Sequence, residues 1–214
     1  MRLPRTLWLL LVSLASGFGV AAQVQANQPG AFDYYLLSLS WEPEFCYQAR
    51  GKHSDECDHS HTNGFILHGL WPALTQGESA EYCSHTPGLS RPAQALDIMP
   101  TAWLIHHEWD AHGTCSGLTA ERYFSVVRQA YRSITIPDIF QHPSHGFSLP
   151  PAKIKQAFIN SNPGLAPEDM ALSCRNNYLS AAAFCLNKTT LKPERCGDSV
   201  RDCHARSIKV APVK

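Results

Sequence analysis

The stretch Ala102-Trp103-Leu104-Ile105-His106-His107-Glu108-Trp109-Asp110-Ala111-His112-Gly113-Thr114-Cys115 decides how this chain is read. From His106 to His112 it packs three imidazoles and two carboxylates into seven residues. A purely structural helix rarely carries that load, because burying ionisable groups without partners costs several kcal/mol. Thr101 stands where an N-cap belongs, and the run behind it predicts a helix. If that helix continues, Glu108 and His112 lie four apart and share a face. Ala102, Ile105 and Trp109 fall on a separate apolar stripe that would anchor the helix in a core. The expected result is a helix held by one side and showing an acid–imidazole pair to a cleft.

A second stretch, Gly64-Phe65-Ile66-Leu67-His68-Gly69-Leu70-Trp71-Pro72, reads as an apolar strand ending in a histidine. Gly69 permits close backbone approach beside the imidazole. Two imidazoles and a carboxylate, His68, His112 and Glu108, are the minimum set for acid–base chemistry near neutral pH.

Outward from these segments, the chain of 214 residues suits one domain after processing. Residues 1–26 read as a secretory leader: Arg2 and Arg5 precede the apolar run from Leu7 to Leu14, with cleavage expected after Ala22 or Ala26. That run is short for a membrane span. Residues 27–214 are the expected single domain, exported, soluble and monomeric. Eight cysteines agree with export: Cys46, Cys57, Cys83, Cys115, Cys174, Cys185, Cys196 and Cys203. Their spacing is not that of a zinc knuckle, and eight cysteines admit about 105 pairings.

The charge balance is 18 basic against 18 acidic residues. Loss of Arg2 and Arg5 with the leader leaves 16 against 18, a formal net of −2. This argues against a broad polybasic surface for duplex DNA or membranes, though not against a local phosphate site.

Residues Ala31 to Trp41 predict a core strand. Pro43 and the polar run from Arg50 to Asn63 predict a loop pinned at Cys46 and Cys57. That loop holds His53, His59 and His61, but with no helix or strand to fix ligands it reads as a solvated loop rather than a metal site. A short helix is expected around Ala93 to Met99. Longer ones are expected from Ala120 to Ser133, capped by Thr119, and from Pro150 to Asn160. A Pro/His/Gly loop spans 137–147. Strands are expected around Met170 to Cys174, Tyr178 to Leu186 and Ser207 to Val210.

No G-x-S-x-G elbow supplies an acyl-transfer serine. Paired cysteines leave no free thiolate nucleophile. His107 and His112 are five apart, so this is not an H-E-x-x-H zinc helix. Paired imidazoles suit an RNA phosphodiester, where one takes the proton of the 2′-hydroxyl and the other protonates the leaving 5′-oxygen. DNA lacks that internal nucleophile.

At these residues the sequence resembles the ribonuclease T2 family of exported endoribonucleases. Its first signature stands here as His68-Gly69-Leu70-Trp71-Pro72, its second as His107-Glu108-Trp109-Asp110-Ala111-His112-Gly113-Thr114-Cys115. The resemblance implies an α+β fold: a twisted antiparallel sheet with packed helices and four disulfides. It implies cleavage of single-stranded RNA to 2′,3′-cyclic phosphate ends with no metal or other cofactor. By position it makes His112 the base and His68 the acid, with Glu108 orienting groups and stabilising charge. His107 becomes a phosphate contact and Trp71 a base-stacking residue. The implied disulfides are Cys46–Cys57, Cys83–Cys115, Cys174–Cys203 and Cys185–Cys196.

Two positions depart from the pattern. Ala111 stands where the second signature usually has lysine, which predicts a slower enzyme. Ala73 stands where some relatives carry a base-recognising acid, which predicts broad base preference. Two other functions fit parts of the chain. One is a catalytically weakened RNA-binding or interaction protein of the same fold; the other is a secreted zinc hydrolase using His53, His59 and His61 with the helix histidines.

Overall fold

The computed structural model describes residues 28–49, Cys57 and 64–213. The leader and the histidines at 53, 59 and 61 lie outside the described residues. Four strands form the central sheet in the order β2-β1-β5-β4. They are β1 (Tyr34–Trp41), β2 (Phe65–Ala73), β4 (Met170–Arg175) and β5 (Tyr178–Asn187), all paired antiparallel. β6 (Ile208–Val210) joins β5 through one parallel pairing, Tyr178 with Lys209, and β3 (Phe147–Leu149) pairs antiparallel with β6. The sheet is therefore mixed at one point rather than wholly antiparallel, within an α+β fold. The β4–β5 turn is made by Asn176 and Asn177, both with positive φ (50° and 64°), the backbone that a tight hairpin between right-twisted strands requires.

Helices α2 (Ala102–Ala111), α3 (Ala120–Ser133) and α4 (Pro151–Ser161) cover one face of the sheet. Between them and the strands lies the core: Leu37, Leu39 and Trp41 of β1 and Leu172 and Phe184 of β4 and β5 meet Ile105, Trp109, Phe124 and Phe158 of the helices. Thr101 and Thr119 cap α2 and α3, their hydroxyls accepting the N–H groups of Leu104 (3.1 Å) and Arg122 (3.4 Å). Ala102 is exposed, so the buried stripe of α2 runs through Leu104, Ile105 and Trp109 instead.

Four disulfides join Cys46–Cys57, Cys83–Cys115, Cys174–Cys203 and Cys185–Cys196. The Cys83–Cys115 bridge ties the segment after β2 to the 3-10 turn Gly113–Ser116 that follows α2. On the same side Tyr82 N–H donates to the Ala111 carbonyl (2.8 Å).

Three local expectations are corrected. Pro43 does not open a loop; it lies in the first turn of α1 (Glu42–Ala49). A proline there gives up no helical hydrogen bond, and Glu42 and Glu44 favour the positive end of the helix. The helix expected at Ala93 to Met99 is a 3-10 turn, Pro92–Ala95, followed by bonds from the Ile98 and Met99 amides to the Ala95 carbonyl. The loop at 137–147 contains a 3-10 turn, Asp138–Phe140, and ends in β3, too short a strand to show a period.

Candidate active site

β2 does not end at His68; it runs on to Ala73. Its pairing with β1 slips there, with Leu39 facing Leu67 and Ser38 facing Gly69, so His68 is the extra residue of a β-bulge. A bulge re-aims the side chains around it. Leu67 and Leu70 stay in the core, while His68 and Trp71 turn away from it.

β2 closes one end of the sheet, and the C-terminal end of α2 packs beside it. Glu108 reaches from α2 to the strand. It is 1 % exposed, not open to a cleft. Trp71 Nε1–H donates to Glu108 Oε2 (2.7 Å). Glu108 Oε1 stands 3.4 Å from His68 Nε2, and it is the one buried side-chain oxygen or nitrogen among the described residues with no hydrogen-bond partner. On the other side of the imidazole, His68 Nδ1 and the Ser40 hydroxyl lie 3.1 Å apart. A Cβ on Gly69 would collide with the Glu108 carboxyl and come within 2.6 Å of Trp71 Nε1. Glycine at 69 is thus a requirement of the carboxyl's seat.

α2 ends at Ala111, and His112 takes the C-cap position with a non-helical backbone. Its N–H still donates to the Glu108 carbonyl (3.1 Å). The His112 ring lies 5.0 Å from that of Trp71, and the His68 ring 5.5 Å from it. Both imidazoles therefore border the same indole. His107 is half-buried and stacks flat on the exposed Trp103, centroids 5.2 Å apart and planes 2° apart.

Burial controls the protons. It pushes the Glu108 carboxyl up to about 8, against the pull of the Trp71 N–H, and the Glu81 carboxylate adds to the rise. Burial takes His112 down to about 4, helped by His107 and His68. His68 is lowered too, by burial first and then by His107. Near neutral pH this favours a protonated carboxyl beside two uncharged imidazoles. An anion placed beside them would reverse that preference, since a nearby negative charge favours imidazolium.

A sequence profile of the ribonuclease T2 family matches residues 32–196. The chain belongs to the ribonuclease T2 family. A ribonuclease of Aeromonas hydrophila is 28 % identical over 197 residues, covering 90 % of this chain and 89 % of its own. Ribonuclease DdI of Dictyostelium discoideum is 26 % identical over 218 residues, covering 92 % and 93 %. Among solved structures, the RNase-related protein from Calystegia sepium superposes with a TM-score of 0.65 at 21 % identity, over 86 % of this chain and 98 % of that one. That last likeness concerns the fold.

Within this T2 fold, His68, Glu108, His112 and Trp71 come together, and His107 lies beside them. Trp71 does two things: it holds Glu108 through its N–H and lines an open groove with its ring. Sequence reasoning missed Ser40, whose only signal is its outward place in the alternation of β1. It missed Trp103, which reads as part of an apolar helix start. It also missed Glu81, which sits in a stretch without periodicity. Ala111, at the position where the T2 signature usually carries lysine, is 2 % exposed. Among the described residues no three metal-ligating side chains cluster, and no helix is long and apolar enough to cross a membrane.

Proposed function

We propose that this chain is an exported endoribonuclease cleaving single-stranded RNA by imidazole acid–base catalysis. The observation that carries the proposal is the seating of Glu108, its unpartnered Oε1 3.4 Å from His68 Nε2, at a site where both histidine rings border Trp71. His112, uncharged down to about pH 4, takes the proton of the 2′-hydroxyl. The 2′-oxygen bonds to phosphorus, and the bond from phosphorus to the 5′-oxygen breaks. His68, charged by the proton that Glu108 holds beside it, protonates the leaving 5′-oxygen. Until that proton leaves, the Glu108 carboxylate faces the His68 imidazolium; afterwards it faces a neutral imidazole. The products are a 2′,3′-cyclic phosphate and a free 5′-hydroxyl. In hydrolysis of the cyclic ester the two histidines exchange roles. His107 meets the phosphate, and Trp71 stacks against a base. With Ala73 offering no side-chain hydrogen bond, base preference is broad.

Residues 1–26 serve as the leader and residues 27–214 as one catalytic domain, active as a monomer. Four disulfides suit an oxidising compartment, either the periplasm or the medium.

The test uses oxidised protein, a chelator and a matched pair of oligonucleotides, one all-RNA and one with a single 2′-deoxyribose at the cleaved position. Cleavage of the first alone, with cyclic phosphate ends, is expected. Equal cutting of both would refute the internal nucleophile. A second reading is favoured by Ala111: the T2 fold retained for RNA binding without turnover. It predicts RNA binding and no cleavage of either oligonucleotide.

A further inference from the structure

The face of the sheet turned away from the helical core carries a groove of about 550 Å³. At one end it is lined by His68 and Trp71, at the other by Arg175 and Arg201. Its floor follows from the strand register. Ser40 faces Ala181, which faces Ser173; Ser38 faces Ala183, which faces Ala171. No side chain in these two rows extends past a methyl or hydroxyl group, so the strands themselves form the bottom. Three strands at about 4.8 Å spacing carry the floor some 10 Å from β1 to β4.

The far end is built rather than incidental. Arg175 closes β4. Arg201 precedes Asp202 and Cys203, which are tied to β4 in three ways. Cys203 N–H donates to the Leu172 carbonyl (2.7 Å), Leu172 N–H donates to Asp202 Oδ1 (2.9 Å), and Cys203 is bonded to Cys174. The other Asp202 oxygen is taken by Lys155 (2.5 Å), so this carboxylate does not neutralise the arginines. Arg175 and Arg201 are exposed and form no ion pair among the described residues. Glu44 is the acidic side chain in the lining, and it is hydrogen-bonded by Gln48 (2.6 Å). In the floor, Ser38 is only 4 % exposed and still lines the groove. Two unpaired cations and a row of hydroxyls, continuous with His68, match a sugar–phosphate chain.

We propose that this groove binds single-stranded RNA beyond the two nucleotides flanking the cleaved bond, with Arg175 and Arg201 on its phosphates. The inference rests on the ribonuclease reading above. It makes the enzyme prefer long substrates, through KM rather than through chemistry. Arg175, Arg201 and Ser173 have no part in the chemistry proposed above.

The test compares a dinucleoside monophosphate with a ten-nucleotide RNA of the same base. Wild type, Arg175→Ala/Arg201→Ala and Ser173→Trp, which obstructs the floor from an exposed position, are assayed on each. On the ten-mer, both variants should lose at least tenfold in kcat/KM by a rise in KM. On the dinucleotide, both should match wild type. The salt dependence of log kcat/KM on the ten-mer should flatten by about 1.4 in the double arginine variant, about 0.7 for each single-strand phosphate that an arginine no longer neutralises. Losses equal on both substrates, or no loss on either, would overturn the groove alone. Wild type inert on both substrates would overturn the nuclease reading and the groove with it.

Discussion

Glu108 Oε1 faces His68 Nε2 at 3.4 Å while its other oxygen accepts the Trp71 N–H at 2.7 Å. This arrangement keeps a proton on a buried carboxyl next to the imidazole proposed above as the acid. It links the stability of the fold to the chemistry of the site, because the same burial that raises Glu108 makes its ionised form costly.

Replacing Glu108 with glutamine separates the two effects. A carboxyl raised from 4.5 to about 8 contributes stability that is fully present below pH 4.5 and is lost as pH rises through 8. His112, lowered from 6.5 to about 4, does the opposite: its contribution is present above 6.5 and lost as pH falls through 4. Glu108→Gln removes only the first dependence. At pH 9 it should be more stable than wild type by at least about 1 kcal/mol, or about 2–4 °C in Tm for a domain of this size. At pH 4 the gain should vanish, and activity should be low throughout. Calorimetry at the two pH values checks this; equal differences at both would mean that the carboxyl is not raised.

Gly69→Ala should disable the site without unfolding the chain. The new methyl group occupies the space of the Glu108 carboxyl, which can move only by leaving His68 and Trp71. Turnover should fall about 100-fold or more, the lower range for loss of a positioned acid–base group. In a Glu108→Gln background the same change should cost much less, because the two act on one interaction. Additive losses in the double variant would contradict that coupling.

The helix carrying Glu108 was legible because its residues are ionisable at a spacing no core requires, and because Thr101 caps it. β1 was legible from its aromatic and aliphatic residues and the alternation at its end, α3 from apolar spacing, and α4 from the proline that opens it and the Pro163-Gly164 that stops it; β3 was too short to read. The bulge at His68 was not legible: alternation in β2 shifts by one residue, and only the facing strand reveals where. α1 was hidden by Pro43, which reads as a breaker but sits where a helix tolerates it. Burial of Glu108 was hidden too, since a sequence shows which face a side chain shares but not how far a neighbouring strand closes over it.

Ala111→Lys tests the missing cation. A single stabiliser of the phosphorane is worth about 2.7–4 kcal/mol, so a well-placed ammonium should raise kcat by about 100-fold or more. Ala111 is buried and its carbonyl accepts the Tyr82 N–H, so the lysine stem must displace neighbours to reach the phosphate. The gain should therefore come with a lower Tm. An unchanged rate would show that the cation is supplied elsewhere or not needed.

Removing the Cys83–Cys115 bridge, as Cys83→Ala/Cys115→Ala, opens a loop with a sequence separation of 32. Chain entropy puts the cost at about 3–4 kcal/mol. Because the bridge fixes the turn that follows His112, kcat should fall even where the variant remains folded. Circular dichroism and assays at low temperature separate the two. A folded variant with wild-type kcat would mean that His112 is held by α2 alone.

If His68 and His112 act as an acid–base pair on RNA, neither can be spared. The most direct test is the rate of homopolymer RNA cleavage, in chelator, by wild type, His68→Ala and His112→Ala. Wild type should give 2′,3′-cyclic phosphate ends, and each variant should be about 100- to 10,000-fold slower. Either variant cleaving within a few-fold of wild type would contradict the pairing.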